Sequence, residues 1–132
     1  DDDIQTTGRM EMKIEKIDYE FSVCRVKDYS QTDLGSEYCF LGKTDEECSL
    51  VCITDDIPGN VIDHDDGWKA FRIQGTLDFS LIGILAKLSA LMAENEIGIF
   101  AVSTYNTDYI LTKKENFEKA IEVLRLAGYE IF

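Results

Sequence analysis

The sequence predicts an α+β fold in which an antiparallel sheet carries helices on one face. Strand-like runs alternate with amphipathic helical segments in the second half of the chain. A hairpin pattern from the first half recurs in the second half. The length of 132 residues, 45% of them hydrophobic, suits one ordinary domain or two very small units that share a core.

The second half, Asp66 to Phe132, contains the clearest series of elements. We expect a strand, a helix, two strands that form a hairpin, a second helix and a last strand, at Trp68–Ile73, Asp78–Glu96, Ile97–Ser103, Asp108–Thr112, Glu115–Ala127 and Tyr129–Phe132. Apolar residues spaced i, i+3, i+4 and i+7 mark the buried faces of the helices. Gly128 is expected to end the second helix at the C′ position, where φ is often positive. This β-α-β-β-α-β order is the ferredoxin-like arrangement.

The hairpin pattern occurs twice at a constant offset of 60 residues, with Phe40, Thr44 and Cys48 matching Phe100, Thr104 and Asp108. The repeat predicts a degenerate N-terminal unit at residues 10–65 and a complete unit at residues 66–132, in tandem. Segment Asp28–Gly35, where the first helix of the shortened unit would stand, is polar and has few apolar anchors. Chance similarity of two β-hairpins is the alternative. Residues 1–9 are interpreted as an expression-vector remnant that precedes Met10.

The charge balance disfavours two classes of partner. Asp and Glu number 26 against 13 Lys and Arg, for a formal net charge of −13. Nucleic acids and anionic membrane surfaces attract clustered basic residues, which this chain lacks. No apolar run reaches the ~18 residues of a membrane span. The four cysteines lack a second CxxC pair, so we expect free thiols in a reducing, cytoplasmic setting and no structural metal.

Two segments have the composition of a ligand site. Gly75–Ser80 joins a strand to a helix, where a glycine and free N–H groups of a first helical turn favour an anion such as a carboxylate. Asp78 there can cap the helix or face a ligand amine or guanidinium. Ser103–Asp108 follows an apolar strand and carries more hydroxyl and carboxylate groups than a hairpin turn needs. Both segments are candidates for ligand contact.

No catalytic constellation is found in the sequence, which predicts neither an enzyme nor a cofactor. His64 lies in the acidic stretch Asp63–Gly67, which is expected to form an exposed turn between the units. Phosphate-binding glycine motifs are absent. A small acylphosphatase-like hydrolase remains a lesser alternative, because Arg72 and Asn106 supply the residue types but in unsuited contexts. The other alternative is a structural dimerisation module that binds no ligand.

Several linked motifs together resemble the ACT-domain superfamily, and more narrowly its short stand-alone tandem proteins, which are similar to the ACT units of animal cytosolic arginine sensors. The motifs are Glu47–Cys52, Trp68, the run from Gly75 to Ala86, Ile97–Phe100 and Ser103–Leu111. The resemblance implies a non-catalytic regulatory protein that binds an amino acid between paired ACT units and signals through another protein.

Carried over to this sequence, the resemblance implies ligand contacts at Gly75, Leu77, Asp78, Ile97, Gly98, Ile99, Thr104, Tyr105 and Asp108. Backbone donors would bind an α-carboxylate, and Asp78 or Asp108 an ammonium or guanidinium group. Neutral and cationic amino acids are therefore better candidates than acidic ones. Cys48 stands where Asp108 stands in the second copy, so no equivalent site is expected in the first unit. An exposed edge strand predicts a homodimer.

Overall fold

The structure, a computed structural model, describes residues 13–74 and 81–132. Within these ranges there are seven strands: β1 (Lys13–Val26), β2 (Cys39–Lys43), β3 (Cys48–Ile53), β4 (Val61–Gln74), β5 (Phe100–Ser103), β6 (Asp108–Lys113) and β7 (Glu130–Ile131). Two α-helices, α1 (Leu81–Glu94) and α2 (Lys114–Leu126), and a 3-10 turn at Thr54–Asp56 complete the described elements. Neither helix has the length and apolar character that crossing a bilayer requires.

The chain divides into two compact units. One comprises Tyr19–Trp68 and is called the inserted unit here. The described residues on either side of it, 13–18, 69–74 and 81–132, form the second, called the C-terminal unit. Both β1 and β4 contribute residues to both units.

The C-terminal unit has the predicted α+β fold of ferredoxin-like type. Its strands follow the order β7-β1-β4-β6-β5, with β5 and β6 antiparallel. Strand β7 differs from the predicted antiparallel sheet, because it pairs in parallel with β1 through Lys13 and Ile14. The start of β1 lies between β7 and β4. The strand that pairs with β7 is therefore distant from it in the sequence.

Both helices pack against strands β4 and β6 in one apolar core. The fully buried members include one residue from β1, two from β4, two from α1, one from β6 and three from α2: Ile14, Phe71, Ile73, Leu88, Met92, Ile110, Ala120, Ile121 and Leu124. The helical residues in this list follow the spacing seen in the sequence, because each helix buries one stripe of its surface. The described part of α1 lies inside the predicted helix Asp78–Glu96; the first residues of that prediction lie outside the described residues.

Gly128 ends α2 as predicted. Its φ of 103° lies in the left-handed region. The N–H of Gly128 donates to the Arg125 carbonyl (3.0 Å), and the N–H of Tyr129 donates to the Leu124 carbonyl (3.1 Å). These two bonds form a Schellman motif, which satisfies carbonyls that the last helical turn leaves open.

In the inserted unit, β3 lies between β2 and β1 and is antiparallel to both. Its core contains Cys24, Val26, Leu50 and Cys52. All four cysteines of the chain are free thiols, and a hydrogen bond with Cys24 together with burial raises the pKa of Cys52. Residues 27–38 form turns without a helix, in keeping with their polar sequence.

The hairpins of the two units share one register. Phe40 pairs with Val51, and Phe100 pairs with Leu111. The last pairs are Lys43 with Cys48 and Ser103 with Asp108. The two turns close with the same bond, from the N–H of Thr44 to the Glu47 carbonyl (2.9 Å) and from the N–H of Thr104 to the Thr107 carbonyl (2.8 Å). The 60-residue offset therefore relates hairpins with the same pairing and turn.

Strand β4 shows that the turn predicted at Asp63–Gly67 is wrong, since these residues continue the strand. Backbone pairing does not require apolar side chains, and here the polar groups bind each other. Asp66 Oδ1 accepts a hydrogen bond from the buried Ser22 (2.6 Å) and lies 2.8 Å from His64 Nδ1. Gly67 continues the strand with φ 81°, which favours glycine.

His64 is expected to titrate above the usual range of histidine. Its hydrogen bond to Asp66, with the charge of that carboxylate, raises the imidazole pKa. The folded protein then binds the proton more tightly than the unfolded chain. The resulting stabilisation is complete below the unfolded pKa of about 6.5 and is lost as pH rises through the folded pKa.

An NMR titration measures this directly, because the chain has a single histidine. The native pKa should exceed the value in concentrated urea, and Asp66→Asn should bring the two values together. A native pKa equal to the urea value would contradict the assigned contact.

Candidate functional site

A surface pocket of about 500 Å³ lies in the C-terminal unit, between helix α1 and the turn that joins β5 to β6. Helix α1 contributes a mostly apolar wall, and the turn contributes a polar wall. The lining residues are Leu85, Ala86, Ser89, Ser103, Thr104, Tyr105, Thr107 and Asp108. The pocket therefore brings together Thr104, Tyr105 and Asp108, three of the residues predicted from the sequence.

The polar wall is held in shape by two nested residue pairs. Ser103 and Asp108 form the last pair of the hairpin, and the Ser103 hydroxyl donates to Asp108 Oδ1 at 2.5 Å. Inside them, the hydroxyl of Thr104 donates to the Thr107 carbonyl at 2.9 Å, beside the backbone bond between the same residues. Side chain and backbone thus fix the same turn.

A third hydroxyl connects this turn to strand β4. The Thr107 side chain donates a hydrogen bond to the Ile73 carbonyl, one residue before β4 ends at Gln74. The hydroxyl protons of Ser103, Thr104 and Thr107 are consequently all bound by protein acceptors.

The polar groups left to a ligand on this wall are mainly acceptors. Asp108 supplies a carboxylate, and of the described residues that line the pocket none is Lys or Arg. A carboxylate accepts strong hydrogen bonds from ammonium and guanidinium groups. The arrangement is suited to a ligand that presents N–H donors to the turn and apolar carbon to α1.

Three other predicted contact residues, Ile97, Gly98 and Ile99, do not line the described pocket. Ile97 is buried in the core, and Ile99 packs against that core. Gly98 is exposed. Gly75, Leu77 and Asp78 lie outside the described residues. The side chain of Tyr105 is fully exposed at the pocket rim.

Five lining residues were not among the predicted contacts. Ser103 and Thr107 belong to the same polar segment, whose excess of hydroxyl groups was the available signal. Leu85, Ala86 and Ser89 come from α1, where Leu85 and Ser89 are four residues apart on the flank of the buried face. Helical spacing identifies that flank but does not indicate which turn it faces.

Arg72, considered for a hydrolase, is engaged elsewhere. Its Nε and Nη2 both lie 2.9 Å from Glu15 Oε1, and its Nη1 donates to the Tyr109 hydroxyl at 3.1 Å. The hydrogen bond to Glu15 raises the arginine pKa. Arg72 does not line the described pocket, so its guanidinium is not placed to cradle a phosphate there.

Comparison with known proteins shows the family. The sequence profile of the ACT domain matches residues 63–125. A crystal structure of a protein from Agrobacterium tumefaciens is 30% identical, with a TM-score of 0.81 and 92% of each chain covered. None of the curated protein sequences searched matches the chain.

Two more distant structures share the fold. One is a protein of unknown function from Vibrio cholerae, described as a possible transport protein, with 18% identity, a TM-score of 0.73, and 92% of this chain and 93% of that chain covered. The other is aspartate kinase of Clostridium acetobutylicum, described as an allosteric enzyme, with 13% identity and a TM-score of 0.65. That match covers 89% of this chain and 34% of the kinase.

ACT domains are generally regulatory domains that bind small molecules, amino acids in particular. They are typically not catalytic. The profile match and the α+β architecture agree with the motifs read from the sequence, and residues 63–125 of this chain belong to the ACT-domain family.

Proposed function

We propose that this chain is a non-catalytic sensor whose pocket in the C-terminal unit binds a neutral or cationic amino acid. The observation that carries the proposal is the acceptor-rich turn around Asp108, placed opposite an apolar helix wall. The ACT family supports a regulatory role that depends on small-molecule binding.

In this proposal Asp108 accepts the ammonium or guanidinium group of the ligand. Leu85 and Ala86 contact its aliphatic carbon, and Thr104 and Tyr105 close the polar side. The α-carboxylate binds backbone N–H groups of Gly75, Leu77 and Asp78, and Ile97, Gly98 and Ile99 also offer backbone groups. These six contacts come from the resemblance to ACT proteins, and Gly75 and Asp78 are also supported by the composition of segment Gly75–Ser80.

The proposed output passes through another protein chain. As in the related tandem proteins named above, units at residues 10–65 and 66–132 would pair, and two copies of the chain would form a cytoplasmic homodimer. Strand β5 ends the strand order in the C-terminal unit, and such an edge is suited to pairing with a second strand. Ligand binding in this pocket would alter the surface presented to the partner.

Thermal unfolding with each of the amino acids and common nucleotides at millimolar concentration tests the proposal. A ligand at 100 times its dissociation constant stabilises the native state by about 2.7 kcal/mol. For a chain of this size the midpoint should rise by roughly 8–15 °C. We expect the rise with a neutral or cationic amino acid. A flat panel with an intact dimer would instead support a dimerisation module.

Asp108→Asn should weaken binding of the stabilising amino acid by about 10- to 100-fold, because a hydrogen bond to a charged group contributes about 1.5–3 kcal/mol. Isothermal titration calorimetry measures the dissociation constant. Asp45→Asn is the matched control, since it removes one negative charge from the corresponding turn of the inserted unit. Equal affinities of Asp108→Asn and the control variant would exclude Asp108 from the site.

A further inference from the structure

We propose that Thr107 is a positioning residue, which holds the polar turn of the pocket against strand β4 and thereby sets ligand affinity. Its hydroxyl donates to the Ile73 carbonyl, so the hydroxyl acts on the turn and not on the ligand. The part of this inference that concerns affinity rests on the proposed function. The attachment of the turn to β4 is tested without a ligand.

The backbone of Thr107 is also bonded to the other residues of the turn. Its carbonyl accepts from both the N–H (2.8 Å) and the hydroxyl (2.9 Å) of Thr104. Asp108 follows it directly and accepts from Ser103 at 2.5 Å. Movement of Thr107 would therefore displace the Thr104 hydroxyl and the Asp108 carboxylate together.

The hairpin of the inserted unit shows that this attachment is not a requirement of the turn. The two hairpins have the same register and the same closing backbone bond. The residue that corresponds to Thr107 is Glu47. An ionised carboxylate only accepts hydrogen bonds, so Glu47 cannot donate to a carbonyl. Of the two hairpins, the one whose turn lines the described pocket has a hydroxyl donor at this position, Thr107.

Three variants separate positioning from general stability. Thr107→Val keeps the shape and removes the donor, whereas Thr107→Ser keeps the donor. Thr112→Val is the matched control in strand β6, which follows the turn, because Thr112 is fully buried and its hydroxyl donates to the Lys113 carbonyl at 3.2 Å. Thr112 does not line the pocket.

Amide hydrogen exchange of residues 103–108 tests the attachment in the free protein. Loss of one neutral hydrogen bond should speed exchange in the turn by about 2- to 10-fold in Thr107→Val. Thr107→Ser should restore the wild-type rate, and Thr112→Val should leave exchange in the turn unchanged. Unchanged turn exchange in Thr107→Val would overturn the inference.

Calorimetric titration with L-lysine, L-arginine and L-leucine tests the effect on affinity. Thr107→Val should raise the dissociation constant of the probe that binds by about 2- to 10-fold, and Thr107→Ser and Thr112→Val should stay within twofold of wild type. Faster turn exchange with unchanged affinity would overturn the positioning role. If wild type binds none of the three probes, the predicted affinity change is overturned, and the amino acid panel decides the proposed function by itself.

Discussion

Replacing Leu124 by Ala is expected to lower the free energy of unfolding by about 2–5 kcal/mol. Leu124 lies on α2 with no exposed side-chain surface and packs in the core with Leu88 and Met92 of α1. Truncation removes buried apolar area and leaves a cavity that neighbouring side chains fill only in part. Chemical denaturation gives the change as a shift in midpoint.

Leu126→Ala is the matched control, two residues further along the same helix. Leu126 is 80% exposed, so its truncation should change the free energy of unfolding by no more than about 0.5 kcal/mol. The two variants remove the same atoms from one helix and differ in burial. Equal midpoints for the two variants would show that α2 does not pack through Leu124.

Phe71→Ala should cost about 3–5 kcal/mol, the range for a fully buried aromatic residue. Phe71 lies in β4, and its ring centroid is 6.4 Å from that of Phe117 on α2. The substitution removes a strand-to-helix contact in the core of the C-terminal unit, which also contains Ile110 of β6. Denaturation midpoints and the dispersion of NMR signals measure the loss.

Phe132→Ala provides the comparison for Phe71→Ala. The Phe132 side chain is half exposed, while its N–H donates to the Ile14 carbonyl at 2.9 Å, a bond that alanine keeps. We expect less than about 1 kcal/mol of destabilisation. A Phe71→Ala protein as stable as Phe132→Ala would contradict the assigned core.

Local pattern predicts most of the C-terminal unit. Helix α2 was expected at Glu115–Ala127 and is observed at Lys114–Leu126, and β6 begins at Asp108 as predicted. The hydrophobic periodicity of these segments reflects a single buried face, and a short window of sequence is enough to detect it. Gly128 is equally local, because its role depends on the conformation of one residue.

Two features of the sheet depend on distant partners and could not be read from local pattern. The acidic part of β4 resembles a turn in composition, but its strand conformation is supported by contacts such as Arg25 Nη2 with Asp63 Oδ2 at 2.8 Å. The parallel pairing of β7 with β1 joins residues at opposite ends of the described chain. No window of sequence contains both members of either pair.

The candidate site was likewise predicted only in part. The polar turn was predicted because its composition exceeds what a hairpin needs, and it lines the described pocket. Its helical wall was missed, since tertiary packing decides which residues of α1 face the turn. The direction of the Thr107 hydroxyl, towards Ile73, is also a product of packing.

The pairing of β1 with β7 has a consequence for biosynthesis. During translation, Ile14 emerges long before its partner Ile131. The hairpins β2–β3 and β5–β6 need only neighbouring residues and can form on the ribosome as soon as each leaves the exit tunnel. The outermost pairing of the C-terminal unit must wait for β7 to be synthesised. Folding of that unit is therefore completed only after β7 has been synthesised, and it requires closure of a loop that spans nearly the whole described chain.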